Sequence, residues 1–578
     1  MPKRFLSADE ALLLFNELPS DNDSQVSSED SADEEALPQS DLGESEDVLP
    51  PIPSDSDEEV DAPGPSNIPE VKWVRKGKAK TEVPDFIEYS GPSEEILELD
   101  DHSPLALFLA LFSMSIMESI VFQTNLYSTQ KGKNFSPLTQ NELYRFLAIN
   151  LAMGLKKMPS YRDYWSSCEV LHDSYISKAM SVKRFAWILS HLHLNDNTVQ
   201  PKRGDALFDK LYKLRPLLSH LSERFLSAFR PSKCQSIDES MVKFKGRSSL
   251  KQYMPKKPIK RGYKIWMRCD QSGFVCQFKI YTGKVDQLVE KNLGARVVTN
   301  LSEQLYGKNH KVYMDNYFSS YDLFKFLDSK NVFACGTVNM SRKHMPKNLS
   351  ADKTMKRGEY DWAVSNDNIV CVKWKDRRCV HILSTMENAI NECKIERKEK
   401  DGSKKEVSCP QSVVTYNKNM GFVDHFDHLK SLYEIDRKSQ KWWHRLFFHF
   451  LDVCVTNAYI LHTQLPDSCK STEVKTLKDF RINIISHLML MGEEGAGLKR
   501  RSTTLPLVAI KKNKPSVPEE TRFQNVQHMP IKCPPRRCAL CSTKKNVHKT
   551  RTMCKTCNVP LCVRQKDTPT CFEKFHAK

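Results

Sequence analysis

Between residues 103 and 230 apolar side chains return every three or four positions, and the runs Glu142–Met153, Val182–Leu194 and Leu211–Phe229 each predict an amphipathic helix. Leu105–Met117 is apolar almost throughout. Ser103 and Pro104 ahead of it read as an N-cap and a first helical residue, which predicts one buried helix there. Ser113, Ser115 and Glu118 interrupt the run, which falls short of the roughly 20 residues a membrane span needs, so no membrane contact is expected. Near Cys234 the period shortens to two. CQSIDESMVKF, GYKIWMRCD and GFVCQFKIYTG predict three successive strands, with a turn signal at Gly273. A helix at Val297–Tyr306, a strand at HKVYMD and a helix at Ser320–Ser329 follow, an order that predicts a mixed sheet flanked by helices. EYDWAV, IVCVKW and CVHILS form a second β-rich patch over Glu359–Ser384. Polar, lysine-rich residues 395–407 separate it from helices beginning around Val423 and spanning Trp442–His462 and Val474–Leu490.

Charge divides the chain further. The net charge is +16, yet residues 1–70 hold 20 Asp and Glu against 2 Lys and Arg, which leaves +34 on the remainder. The acidic stretch has too few aromatic and branched side chains to offset chain entropy by burial, and disorder is expected there. A basic body of this size favours a polyanionic partner, because each neutralised phosphate releases condensed counterions. Asp9 and Glu10 interrupt the only early apolar stretch, so a secretory leader is not expected and the chain is read as intracellular. In a reducing compartment its 18 cysteines point to metal sites and buried thiols more than to disulfides.

Three aspartates stand at strand ends or a helix start: Asp238 after QSI, Asp315 after KVYM and Asp424 in MGFVD. Hard oxygen ligands from separate elements are what two divalent ions on a phosphodiester require. In a chain with 71 acids, spacing alone does not select these three. Their surroundings do. IDESMVKFKGRSSLKQYMPKKPIKRGYKIW, VYMDNYFSS and YNKNMGFVDHFDHLKSLY resemble, in order, the segments around the three catalytic aspartates of piggyBac transposases. QTNLYS, RFLAINLAMG, FDKLYKLRPLL, GTVNMSRKHMPK, GEYDW, VKWKDRRCVHILST and KWWHRLFFHFLDVCVTNAY are similar to further blocks of that family, covering roughly residues 90–578. One departure is Phe422, where the family usually has a second glycine before the third aspartate, and a tight backbone path there would be disturbed.

The resemblance implies an α/β multidomain protein with an RNase H-like catalytic core. Residues 1–85 would be a disordered acidic tail; 86–233 and 434–492 the two parts of a helical dimerisation and DNA-binding domain; 234–341 and 411–433 the two parts of the core. Residues 342–410 would be a β-rich insertion, 493–527 a basic linker and 528–578 a zinc domain. It implies that Asp238, Asp315 and Asp424 hold two Mg²⁺ ions, with Asp427 one helical turn on in support. The activity implied is cut-and-paste transposition in the nucleus by a homodimer: transposon ends are cleaved through a hairpin and joined to TTAA target DNA. A DNA-binding protein that keeps the fold without transposing is the alternative.

Lys245, Arg247, Lys251, Lys257, Lys260, Arg261 and Lys264 crowd a stretch beginning beside Asp238 and are candidate phosphate contacts. Trp442 and Trp443, set among cations in KSQKWWHR, are candidates for stacking on a base; neighbouring helical residues point about 100° apart, so one of the two is expected in the core. At the C-terminal end, Cys538, Cys541, Cys554, Cys557, Cys562, Cys571 and His576 make seven ligands in a pattern that predicts two zinc ions in a crossed arrangement. The eighth can be His528, His548 or Cys533, and similarity to the family favours His528. Such a module also resembles RING and PHD domains, which would serve protein partners as a ubiquitin ligase or a histone-tail reader.

Overall fold

The computed structural model describes residues 70–493 and 528–577, apart from 80–82, 133–134, 256, 284–291, 389, 400–401, 440, 471–473, 544–545 and 564–568. The acidic stretch expected to be disordered and most of the expected basic linker lie outside the described residues. The chain divides into a unit ending at Gly495 and a second beginning at Ala496.

In the first unit, alternation along Cys234–Lys243 (β2), Arg261–Asp270 (β4) and Val275–Ile280 (β5) builds three antiparallel strands, with the two-residue Gln252–Tyr253 (β3) paired on the start of β4, and Gly273, at φ +85°, makes the turn between β4 and β5. Lys311–Met314 (β6) and Phe333–Thr337 (β7) add in parallel beside β2. Leu293–Ser302 (α6) precedes β6, and Tyr321–Ser329 (α7) joins β6 to β7. The five strands therefore run β5-β4-β2-β6-β7. A period of two sends Ile265, Met267 and Cys269 to a face packed on helices. Trp266 goes to the opposite face, with Val297, Val312 and Phe324.

The helical layer comprises Pro104–Leu111 (α1), Met114–Gln130 (α2), Gln140–Leu155 (α3), Val182–His191 (α4), Arg215–Ala228 (α5), Gln411–Asn419 (α8), Phe422–Ser431 (α9), Trp442–Gln464 (α10) and Leu477–Glu493 (α11). The single helix expected over Leu105–Met117 is two helices bent by 63°. Ser113 caps the second, accepting from the Ile116 amide, and a capping side chain inside an apolar run ends the first helix there. Among the described residues no single helix is long and apolar enough to cross a membrane.

Helix α10 is buried nearly from end to end, and its one carboxylate ties four segments together. Asp452 meets Arg481 of α11 at 2.9 Å and accepts the Ile435 amide at 2.7 Å, while Arg481 also donates to the Leu151 carbonyl of α3 at 3.1 Å. Both side chains are 3% exposed. Removing one partner strands a buried charge. Asp452→Ala is therefore expected to cost about 3–5 kcal/mol, read as a lower urea midpoint in equilibrium unfolding.

Three expectations change. The β-rich patch expected as an insertion continues the core sheet: Tyr360–Ser365 (β8), Val370–Lys375 (β9) and Cys379–Ser384 (β10) join it through the pairing of Ile382 with Thr337 on β7. Trp73–Arg75 (β1), expected within the tail, is an edge strand on β8. Distant partners order it: Trp73 donates to the His344 carbonyl at 2.7 Å, and Arg75 pairs with buried Asp361 at 2.9 Å. The lysine-rich stretch expected as a separator folds as a hairpin of Glu392–Lys398 (β11) and Lys404–Pro410 (β12). Like charges face each other across it, Glu396 opposite Glu406 and Lys398 opposite Lys404. The diagonal pairs Lys394–Glu406 at 3.2 Å and Glu396–Lys404 at 2.8 Å offset that repulsion.

Candidate functional site

The parallel register of β2 and β6 ends on the pair Ile237 and Met314, so Asp238 and Asp315 are the next residues at the same end of the sheet. Crevices beyond the carboxyl ends of parallel strands are where such sheets hold ligands. The Asp315 side chain accepts the Tyr317 amide at 2.9 Å, which fixes the turn leading to α7. Carboxylate oxygens of Asp238, Glu239 and Asp315 all lie within 4.8 Å of one another. Lys257 stands over them, its Nζ 3.3 Å from Glu239 and 3.9 Å from Asp238.

Burial, then the Glu239 charge, and to a smaller degree Asp315, push Asp238 up to about 8. Asp315 is raised as well, by burial and by Glu239. Burial opposes ionisation of Glu239 too, but Lys264 and Lys257 outweigh it and hold this carboxyl below its ordinary range. Lys257 is raised in turn: burial works against its charge, and Asp238, Glu239 and Asp424 favour it more strongly.

Asp424 lies in the first turn of α9, exposed, and is not part of the carboxylate group; it reaches the site through its field on Lys257. Asp427, one turn later, also stands outside the group. It accepts a hydrogen bond from Ser240 of β2 at 2.7 Å, and burial raises its pKa, so it pins α9 to the sheet. Gly273 allows that docking, since a Cβ there would come within 2.8 Å of the His425 ring. Phe422 requires no special backbone. It is the first residue of α9, is 9% exposed, has no positive φ and packs in the helical core.

Of the expected phosphate contacts, Lys245, Arg247, Lys260 and Arg261 are exposed. Lys251 is half-buried and donates to the Gly246 carbonyl at 3.0 Å. Two candidates must be corrected. Lys264 is 3% exposed, with its ammonium 4.5 Å from the Tyr317 ring and 5.4 Å from that of Trp266, so it backs the carboxylates instead of meeting solvent. Trp443 is 2% exposed and packs against His193 and Phe447, a core position. Trp442 stays half-buried, its carbonyl accepting the Tyr263 hydroxyl at 3.1 Å.

In the second unit, Pro530–Arg537 (β13) pairs with Lys549–Cys554 (β14), and Cys571–His576 (α12) follows. Two groups of four form. Cys538, Cys541, Cys562 and Cys571 make one; His528, Cys554, Cys557 and His576 make the other. Chain order alternates between them, and neither group includes Cys533 or His548. The Cys541 and Cys562 sulfurs are 3.8 Å apart, and His528 Nδ1 lies 3.4 and 3.5 Å from the sulfurs of Cys554 and Cys557. A tetrahedral ion with bonds of about 2.3 Å to sulfur and about 2.0 Å to nitrogen requires separations of roughly 3.5–3.8 Å, so the donors fit zinc. His576 holds the Phe572 carbonyl through Nδ1 at 2.8 Å, which leaves Nε2 facing Cys557 at 3.4 Å.

A family model described as transposase IS4 matches residues 103–459. The human PiggyBac transposable element-derived protein 3 is 30% identical over 520 residues, covering 86% of this chain and 78% of that protein. The chain belongs to the piggyBac family. Human PiggyBac transposable element-derived protein 2 is 28% identical over 477 residues, covering 80% and 76% of the two chains. A cryo-EM structure of the piggyBac transposase synaptic complex with hairpin DNA shares the fold, with a TM-score of 0.62 at 24% identity, covering 82% of this chain and 98% of that one.

For this piggyBac-family chain the residue missing from the sequence expectations is Glu239. Its signal was the acid pair itself: neighbours on a strand point to opposite faces, yet at the end of the parallel ladder both carboxylates reach the same opening. The raised Asp238 also has a consequence for stability. An unfolded aspartate titrates near 4, so between about pH 4 and 8 the cation-free folded state holds a proton that the unfolded chain has lost. Stability should therefore fall as pH rises through that window. Asp238→Asn should flatten this slope in urea melts at pH 5 and 8 with a chelator for Mg²⁺; an unchanged slope would count against the raised pKa.

Proposed function

We propose that this piggyBac-family chain is a cut-and-paste DNA transposase whose centre is formed by Asp238, Asp315 and Asp424. The observation that carries the reading is the crowding of Asp238 and Asp315 at one end of a parallel strand pair, where burial and the neighbouring Glu239 charge push the Asp238 carboxyl up to about 8. The strand order, three antiparallel strands followed by two parallel ones, supports an RNase H-like core. The converging oxygens of Asp238 and Asp315 fit a Mg²⁺ ion, and Asp424, with Asp427 in support, would complete a two-ion site. When bound, these ions supply activation of an attacking water or 3′-hydroxyl and stabilisation of the leaving oxygen. Asp427 keeps α9, and with it Asp424, against β2 through Ser240. Lys257 offers an ammonium to a phosphate at the carboxylates, while Lys245, Arg247, Lys260 and Arg261 present exposed charge to the duplex.

The reaction is hydrolysis at a transposon end, attack of the freed 3′-hydroxyl on the opposite strand to form a hairpin, and, after opening, attack on TTAA target DNA. A homodimer in the nucleus is the acting species. Two zinc ions in the cysteine–histidine groups build the module that reads the transposon end. The cryo-EM relative, a synaptic complex with hairpin DNA, supports this choice of partner.

One observation favours a second reading, a DNA-binding protein without transposition: Asp424 stands outside the carboxylate group. An excision assay with the wild-type protein and a donor carrying matched terminal repeats separates the two. Precise excision supports the first reading. Repeat binding without any strand cleavage in Mg²⁺ or Mn²⁺ selects the second.

A further inference from the structure

We propose that Glu239 is a ligand for a divalent cation bound between Asp238 and Asp315 before DNA arrives, and that this cation takes the place of the Lys257 ammonium. The proposal rests on reading the site as a metal-dependent nuclease centre, and it adds a fourth carboxylate to that centre.

Glu239 is unlike an ordinary surface acid. Its side chain is 8% exposed, and Oε1 faces Lys257 at 3.3 Å. Oε2 is buried and meets no amide, hydroxyl or ammonium donor among the described residues; beyond Lys257, the carboxylate shares only the proton of its neighbour Asp238. A buried carboxylate oxygen without such a donor is costly, and a cation is the simplest group that satisfies it. Geometry agrees, because oxygens around an octahedral ion with bonds of about 2.1 Å lie roughly 3 to 4.2 Å apart, and the oxygens of Asp238, Glu239 and Asp315 already lie within 4.8 Å of one another.

The two lysines present differ in what they can do. Lys264 is buried behind the group between two rings and is fixed. Lys257 is 30% exposed on a flexible four-carbon stem and is a single charge set against three acids. A divalent ion matches that charge better. Lys257 is then released toward the phosphate that follows. Asp424, outside the group, is not needed for this first ion and acts once DNA and a second ion are in place.

The test is Mn²⁺ binding to the zinc-loaded, DNA-free full chain, followed by calorimetry and by electron paramagnetic resonance of the free ion, with Mg²⁺ as competitor. Glu239→Gln should weaken the first Mn²⁺ site by about tenfold or more, and Asp238→Asn should do the same. Glu239→Asp should recover part of the loss, Asp424→Asn should leave the site within about twofold, and Lys257→Gln should tighten it by removing a competing cation. Chelator-treated thermal melts establish that Glu239→Gln is folded. If it is not, Lys257→Gln decides, and unchanged or weaker Mn²⁺ binding overturns the proposal. Wild-type affinity in Glu239→Gln beside a loss in Asp238→Asn would overturn the role of Glu239 and leave the aspartate reading standing. An equal loss in Asp424→Asn would overturn it too. Wild-type affinity in Asp238→Asn as well would remove the metal centre altogether.

Discussion

Asp238→Asn is expected to lower transposon-end cleavage by about a thousandfold or more while leaving repeat binding within about twofold. The two side chains have nearly the same shape, so packing at the end of β2 is kept, and the Glu239 amide, which donates to Asp238 Oδ1 at 2.7 Å, still finds a carbonyl oxygen. What is lost is a carboxyl that a bound cation would ionise, at a site where Asp238, Glu239 and Asp315 converge. Metal-dependent phosphoryl transfer is almost wholly electrostatic and positional, so losing a ligand removes the catalyst's main contribution. In the proposed function binding falls to exposed cations such as Lys245, Arg247, Lys260 and Arg261, which the change does not touch. Nicking of an end-labelled duplex, measured beside a gel-shift titration, reads the two quantities separately. Equal nicking rates in mutant and wild type would remove Asp238 from the chemistry. A parallel fall in binding would instead mean that the site was built for DNA contact.

How much of this centre is legible in the chain depends on the range of the interactions involved. Strands β2, β4 and β5 follow from local alternation and one glycine turn, and are read directly. The meeting of Asp238 with Asp315 is not local. It depends on the parallel register that sets Ile237 beside Met314, which no periodicity encodes, and only resemblance to a family points to that pair. Resemblance has its own blind spot: it brings three aspartates and passes over Glu239, whose place in the carboxylate group follows from its burial and its pairing with Lys257. Lys264 fails for a related reason: residue type suggests a surface cation, yet it lies on the face of β4 shared with buried Trp266. Of the tryptophan pair one is expected in the core, and it is Trp443 that α10 buries. Edge strand β1 fails because a three-residue strand is held by partners nearly 300 positions away. Phe422 shows the reverse case, a sequence departure that the fold absorbs, since helix α9 buries the ring at no backbone cost.

Loss of zinc is expected to unfold residues 528–577 while residues 70–493 remain folded. The second unit has little else to hold it. Its apolar core consists of Ala539, Val559, Leu561 and Phe575 among the cysteines, over one two-stranded sheet and a six-residue helix. Domains of this size seldom bury enough apolar surface to fold unaided, whereas structural zinc contributes about 10–16 kcal/mol at neutral pH. Because the two groups of ligands interleave along the chain, a hairpin tied at one site alone leaves the other end loose. Cys554 is the sharpest probe, fully buried at the end of β14 with its sulfur 3.4 Å from His528 Nδ1. Cys554→Ser should halve the zinc content of the purified full chain and abolish hydrogen-exchange protection across β13 and β14. Cys533→Ala and His548→Ala, outside both groups, should do neither. The larger unit has its own core, so its exchange pattern should not change. Two zinc ions retained in Cys554→Ser, or one lost in His548→Ala, would overturn the pairing of ligands. A full chain without zinc would leave the eight converging side chains without a purpose, because buried thiols alone do not require histidine nitrogens at 3.4 Å.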